Sequence, residues 1–329
     1  MSSTRRFRRS DDGAQQRARR SHCDGCQSVK RRAKHLVGQL LRAFAFASAP
    51  AVKLVAATGF GTQEYLQRGV LPVPLHYYQP VFDPDSTTAW ERRHDLPGID
   101  LRLEAQLDLL ERLGRYEPEC DWPDAPGPGY YATNGSFGYA SASLLHTMLR
   151  ELEPARVVEV GSGMSTLITL AALDRNASGE LTAIDPNPRE QVHDLPERCT
   201  VIAEPVERAP LTTFERLGKN DLLFIDSSHV VRTGGDVNYL YLDVLPRLRP
   251  GVVVHIHDIQ LPYEYPRSYA PRYFWTEQYM LQAMLAHNPR WQILLMGHML
   301  QREQEDAYLR AFPRAAQYRT GTSFYMRVA

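Results

Sequence analysis

The stretch Val157-Val158-Glu159-Val160-Gly161-Ser162-Gly163-Met164-Ser165-Thr166 decides how this chain is read. A β-branched run enters a turn with two glycines, and a helix-forming segment, Thr166 to Asp174, leaves it. Gly161 and Gly163 permit a tight turn and close backbone approach to a ligand, and the N-terminus of the following helix favours a negative group. A dinucleotide fingerprint would place a third glycine where Thr166 stands, because that glycine lets helix and strand pack closely. Thr166 therefore counts against NAD or FAD.

The sequence around this turn alternates strand and helix. Short β-branched or apolar runs at Arg156–Val160, Leu181–Ile184, Thr200–Ala203, Leu222–Ile225 and Val252–Ile256 are separated by helix-length segments. This predicts a doubly wound, mostly parallel α/β sheet with ligands at the carboxyl ends of its strands. Acids stand at those ends: Asp185 after the second run, Glu204 after the third, Asp226 after the fourth. A carboxylate at Asp185 is placed to take both hydroxyls of a ribose.

With these residues the sequence resembles the class I S-adenosylmethionine-dependent methyltransferases. The resemblance covers about residues 130–329 and rests on E-V-G-S-G at 159–163, the acid at 185, F-I-D-S-S-H at 224–229 and L-R-P-G-V-V-V-H-I-H-D at 248–258. It implies a seven-stranded sheet with S-adenosylmethionine as cofactor. Gly161, Ser162 and Gly163 would line its methionine portion, Glu159 would support the turn and the amino-acid end, Asp185 would hold the ribose, and Glu204 or its neighbours the adenine. Asn134, Gly135 and Tyr139, just before the first strand, would belong to a lid over the cofactor.

Methyl transfer from a sulfonium is an in-line displacement, so the protein mainly has to align donor and acceptor. A hydroxyl acceptor must also lose a proton, to a base or with help from a divalent metal. Asp226 and His229 leave the fourth strand and His257 and Asp258 the fifth, so four ionisable groups converge where an acceptor would lie. The resemblance points to the branch with metal-assisted sugar and natural-product O-methyltransferases. There Asp226 and Asp258 would hold Mg²⁺, with Asp226, His229 and His257 as catalytic residues. Ile259 stands where some metal-dependent relatives carry a further Asp or Asn. His255, alternating with His257, is expected to face the other side of the sheet as a structural residue. The insert Leu261–Trp275, with Tyr263, Tyr265, Tyr269, Tyr273 and Phe274, follows Asp258 directly and is expected to roof the acceptor pocket.

The expected acceptor is therefore a small molecule or glycoside. Two other readings stay open: a metal-dependent hydroxylase on the same scaffold, using two histidines and a carboxylate for iron, and a non-catalytic binding module.

Upstream, Leu103, Leu107, Leu110 and Leu113 recur at helical spacing, and a Pro/Gly cluster at Pro123–Gly129 marks a boundary. The expected division is a basic disordered tail over 1–33, a helical and Pro-rich extension over 34–128, and the methyltransferase-like domain over 129–329. Val70–Pro84, with the run His76-Tyr77-Tyr78-Gln79-Pro80, reads as extended loop. Leu36–Ala57 is apolar but interrupted by Gln39, Arg42, Pro50 and Lys53, so two short helices are expected, on the main domain or on a membrane surface, rather than a spanning helix.

The whole chain has 329 residues, 38 Lys+Arg against 38 Asp+Glu, and 43% hydrophobic residues, enough for a substantial core. Its zero net charge hides an asymmetry: residues 1–42 hold 12 Lys/Arg and 3 acids, a net of +9, which the remainder offsets with −9. A solvated tail is the plain reading of that segment, with nucleic acid or an anionic membrane as its candidate partners. Four cysteines, two of them in His22-Cys23-Asp24-Gly25-Cys26 without a second zinc-spaced pair, fit a reducing, cytoplasmic setting.

Overall fold

The computed structural model describes residues 11–188, 196–318 and 321–329, with side chains described from residue 34 onward within those ranges. The chain divides into two compact units, Met1–Asp83 and Pro84–Ala329.

The first unit holds α1 (Asp11–Thr58) and the short α2 (Thr62–Leu66). Two expectations change here. Residues 11–30, whose composition predicts no ordered structure, lie within α1, as does Pro50. A helix needs only its own backbone hydrogen bonds, and Gln15, Gln16, Arg17, Ala18, Arg19 and Arg20 are good helix formers even without a core to bury. Pro50 forfeits one bond to the preceding turn, a cost of about 3 kcal/mol, but alanines at 43, 45, 47, 49 and 51 favour continuity over two short helices. The readings of residues 1–10 and of the side chains of Cys23 and Cys26 lie outside the described residues. From Val70 to Asp83 the chain has no helix or strand, as the prolines require.

The second unit is a seven-stranded sheet with helices on both faces. Its strands are β1 (Arg156–Val160), β2 (Glu180–Ile184), β3 (Cys199–Ile202), β4 (Leu222–Ile225), β5 (Val253–Ile256), β6 (Trp291–Met296) and β7 (Phe324–Val328). Their order is β3-β2-β1-β4-β5-β7-β6, and only β7 runs antiparallel to its neighbours. The first five match the expected runs to within a residue. Strands β4 and β5 are buried along their whole length, which is why their sequences read as continuous apolar runs rather than alternating ones. The order reverses between β1 and β4, which opens a crevice at their carboxyl ends.

The compact unit begins at Pro84, not near residue 129 as the Pro/Gly cluster suggests. Helix α3 (Leu103–Gly114) buries Leu109, Leu110 and Leu113. The buried Gln106 side chain donates to the Leu101 carbonyl and accepts from the Met296 amide at 2.7 Å, which fastens α3 to the end of β6. Next to it, Glu119 pairs with His146 at 2.9 Å and Arg150 at 3.0 Å on α4 (Tyr139–Leu152). The segment 84–128 thus completes the core of the sheet domain, and Pro123–Gly129 is a surface turn within it.

The remaining helices are α5 (Met164–Asn176), α6 (Leu211–Glu215), α7 (Asp236–Tyr239), α8 (Glu277–Leu285), α9 (Gly297–Glu303) and α10 (Glu305–Ala311).

Candidate active site

The glycine turn between β1 and α5 is held by neighbouring strand ends. Gly161 has φ +88°, and its amide donates to the Ile184 carbonyl at 2.9 Å. A Cβ at this position would lie 2.3 Å from the Asp226 carbonyl oxygen, so glycine is required both by conformation and by the approach of β4. Asp185 accepts from the Ser162 amide and hydroxyl at 2.9 and 2.8 Å, and from the Asn187 amide at 2.8 Å. Thr166, at the position of the absent third glycine, accepts from the Gly163 amide at 2.9 Å and so caps α5. Glu159 is fully buried beneath the turn and accepts from the Ser165 hydroxyl. Burial pushes its carboxyl up to about 8, against the hydrogen bonds from Ser165 and Thr166.

Other expected cofactor residues are placed differently. Asn134 spends its amide on its own loop: Nδ2 donates to the carbonyls of Tyr131 and Phe137, and Oδ1 accepts from the amides of Ser136 and Phe137. Tyr139 is buried, donates to Glu117 at 3.1 Å and stacks on Tyr318 at 4.5 Å. Glu204 is exposed beyond β3 and paired only loosely, at 3.4 Å, with Arg208.

At the ends of β4 and β5 four ionisable groups meet, as their positions predict. His229 Nε2 lies 3.3 Å from Asp226 and 3.6 Å from Asp258, and His257 Nδ1 lies 3.4 and 3.6 Å from the same two carboxylates. His229 and Asp258 both have positive φ, 60° and 56°. Such backbone is costly for residues with a Cβ and is found where surroundings hold a site in place. Burial opposes charge on Asp226, His229 and His257, yet attraction between opposite charges in the cluster prevails. It raises His229 well above the ordinary histidine range, raises His257, and holds the Asp226 carboxyl well below the usual carboxylate range.

Residues that sequence reasoning missed complete the cluster. Glu277, fully buried at the start of α8, receives His229 Nδ1 at 2.8 Å, and the amides of Thr276 and Glu277 both donate to the His229 carbonyl. Trp275 packs on the His229 ring at 4.5 Å between centroids. Thr322 donates to Asp258 at 2.9 Å, and Ser141 on α4 meets His257 Nε2 at 3.2 Å. None of these lies close in sequence to its partner, so spacing carries no signal for them. His255 is a core residue as expected but does not face away from His257: side chains two apart on a strand share a face, and the two rings lie 6.4 Å apart, with His255 stacked between Phe224 and Tyr325 at 4.4 and 4.1 Å, where burial drives it well below the ordinary histidine range.

One ligand atom each from Asp226, His229 and Asp258 lies within 4.8 Å of the others. With Nδ1 committed to Glu277, His229 directs Nε2 at two carboxylates, a donor set that suits a divalent cation. This set is one histidine and two carboxylates, whereas an iron hydroxylase would need two histidines and one carboxylate.

The expected tyrosines of the insert gather beside this cluster: Tyr265, Tyr269 and Tyr273 all contact Trp275. A cavity of about 540 Å³ opens next to them, lined by Tyr139, Ser141, His257, Asp258, Tyr269 and Tyr318.

Comparison with known families agrees with this architecture. Residues 158–259 match the family described as the methyltransferase domain, a span that begins in β1 and ends just past Asp258. Over that span the chain is similar to a methyltransferase domain. A protein of Archaeoglobus fulgidus described as uncharacterized is 29% identical over 163 residues, covering 45% of this chain and 74% of its own length. Among solved structures, an O-methyltransferase from Bacillus cereus in complex with SAH is 16% identical, with a TM-score of 0.35 over 68% of this chain and 90% of its own. A methyltransferase from Geobacter sulfurreducens is 17% identical, with a TM-score of 0.34 over 71% and 98%. The matched span includes the glycine turn, Asp185 and the ionic cluster.

Proposed function

We propose that the protein transfers a methyl group from S-adenosylmethionine to a hydroxyl of a small molecule or glycoside. The observation that carries this reading is the joint placement of the Gly161 turn and Asp185 on one side of the β1/β4 crevice and the His/Asp cluster on the other, beside a cavity of about 540 Å³. That volume lies in the range of small-molecule sites. The SAH bound to the Bacillus cereus protein names the corresponding product there.

Asp185 already accepts three hydrogen bonds, so ribose hydroxyls would take its remaining lone pair and displace the Ser162 hydroxyl. Glu159 stays beneath the turn and supports it through Ser165. In the displacement the new O–CH₃ bond forms as the S–CH₃ bond breaks, sulfur loses its positive charge, and the hydroxyl proton passes to His257. Asp226 and Asp258 stabilise the resulting imidazolium, while Ser141 fixes the ring. Asp226, His229 and Asp258 would hold a Mg²⁺ ion, whose chemistry is to make a nearby hydroxyl more acidic. Tyr269, Tyr318 and their neighbours give the cavity the ring faces and hydroxyls that suit sugars and aromatic polyols.

Isothermal titration with S-adenosylmethionine and with its demethylated product tests the first step. Both should bind the wild type, and Asp185→Ala should abolish the binding; a wild type that takes up neither would refute the reading. Labelled S-adenosylmethionine incubated with candidate polyols, with and without EDTA, then tests acceptor and metal together.

A further inference from the structure

We propose that residues 34–58 of α1 form an in-plane amphipathic anchor that lays the protein on an anionic phospholipid bilayer. The segment is long and apolar enough to meet a membrane, and none of it is buried. Its large side chains stand in solvent, with Leu40 and Leu41 each 62% and Phe44 71% exposed. Apolar surface of this extent on a single helix is unusual unless something covers it.

The arrangement of the side chains selects the occupant. At 3.6 residues per turn, Leu36, Val37, Leu40, Leu41, Phe44 and Val55 fall on one broad face. His35, Gln39, Arg42 and Lys53 fall together on a narrow opposite stripe, which Phe46 shares. A helix crossing the bilayer would carry Arg42 and Lys53 into hydrocarbon, with only ten uncharged residues between them. A helix lying in the interface keeps both charges among the headgroups while its broad face enters the acyl region. Lys53, together with the net +9 of residues 1–42, in which Arg42 is counted, matches a negatively charged surface. An in-plane helix also leaves the whole chain on one side of the membrane, in keeping with the reducing setting that the cysteine usage suggests.

The test is co-sedimentation of the full-length protein with phosphatidylcholine vesicles prepared with and without phosphatidylglycerol. Binding should require phosphatidylglycerol, weaken about fivefold for each of Arg42→Gln and Lys53→Gln, and disappear in the double variant Leu40→Glu/Phe44→Glu. Alkaline carbonate should release the bound protein. Circular dichroism of the variants, with an unchanged melting temperature for the sheet domain, separates loss of the anchor from misfolding. Protein that stays in the supernatant with phosphatidylglycerol vesicles overturns the proposal. So does equal binding of the Leu40→Glu/Phe44→Glu variant, retention through the carbonate wash, which would mean a spanning helix, or a stable dimer or an RNA complex formed in place of lipid binding. Because the readout is lipid binding, its outcome is independent of whether methyl transfer is the correct activity.

Discussion

Gly161→Ala and Gly234→Ala together test whether the close approach of β1 and β4 organises the site. Both glycines have positive φ, 88° and 65°, so alanine carries a conformational cost of about 1 kcal/mol at either position. Around Gly234 a new methyl group meets nothing within 4 Å, whereas at Gly161 it lands 2.3 Å from the Asp226 carbonyl oxygen. That is about 1 Å inside normal contact, against backbone that cannot rotate away, and overpacking of this kind adds about 1–3 kcal/mol. At roughly 2–4 °C per kcal/mol for a unit of this size, Gly234→Ala should melt about 2–4 °C below the wild type and Gly161→Ala about 5–15 °C below. The methyl can be accommodated only by moving Asp226, whose amide is bonded to the Val160 carbonyl at 2.9 Å, and a displacement near 1 Å costs about 10²-fold in rate. Differential scanning calorimetry and turnover assays on the pair decide the matter. Equal melting temperatures, with the Gly161→Ala enzyme retaining its turnover, would refute the reasoning.

Glu277→Gln keeps the shape of the buried pair with His229 but removes its charge; turnover should fall about 10–100-fold with the affinity for S-adenosylmethionine little changed, and steady-state kinetics showing wild-type turnover would exclude a positioning role for Glu277. His298 is buried with Nδ1 near the Gly321 carbonyl, and burial lowers it to about 4 from an unfolded value of 6.5. The unfolded chain therefore binds a proton in that window while the folded chain does not, so stability is lost as the pH falls from 6.5 towards 4, by up to about 3 kcal/mol. Urea denaturation between pH 7 and pH 4 should show a shallower decline for His298→Gln, and parallel curves for the two proteins would contradict it.

The sequence announces the sheet wherever neighbours in sequence are also neighbours in function. Strands β1, β2, β4 and β5 are short apolar runs ending in a glycine turn or an acid, so both their limits and the polar side chains at their ends could be read directly. Strands β6 and β7 follow a Tyr-rich insert and irregular helices, and the residue pattern alone did not pick them out. The cluster Asp226, His229, His257 and Asp258 was legible because each residue ends a strand. Glu277 was not, since its approach to His229 depends on how the insert turns back over the sheet. Helix α1 shows the opposite failure: composition asks what a segment can bury, and a helix that satisfies its own backbone needs no burial to form. The boundary near residue 129 failed for a related reason, as the contacts of Gln106 and Glu119 join segments far apart in sequence.

The chain between Asp258 and Glu277 starts and finishes on side chains that converge on His229. Both endpoints are fixed by the ionic centre, while between them Tyr265, Tyr269 and Tyr273 pack around Trp275 and Tyr263 turns to Glu303 and Arg302. Residues 262–265 are tied by backbone hydrogen bonds to residues 91–94, which leaves the later stretch around Arg272 and Tyr273 as the part that can be exchanged. On the proposed methyl transfer, the choice of acceptor can therefore diverge by substitution or insertion in that stretch, while the ionic centre beneath it stays the same.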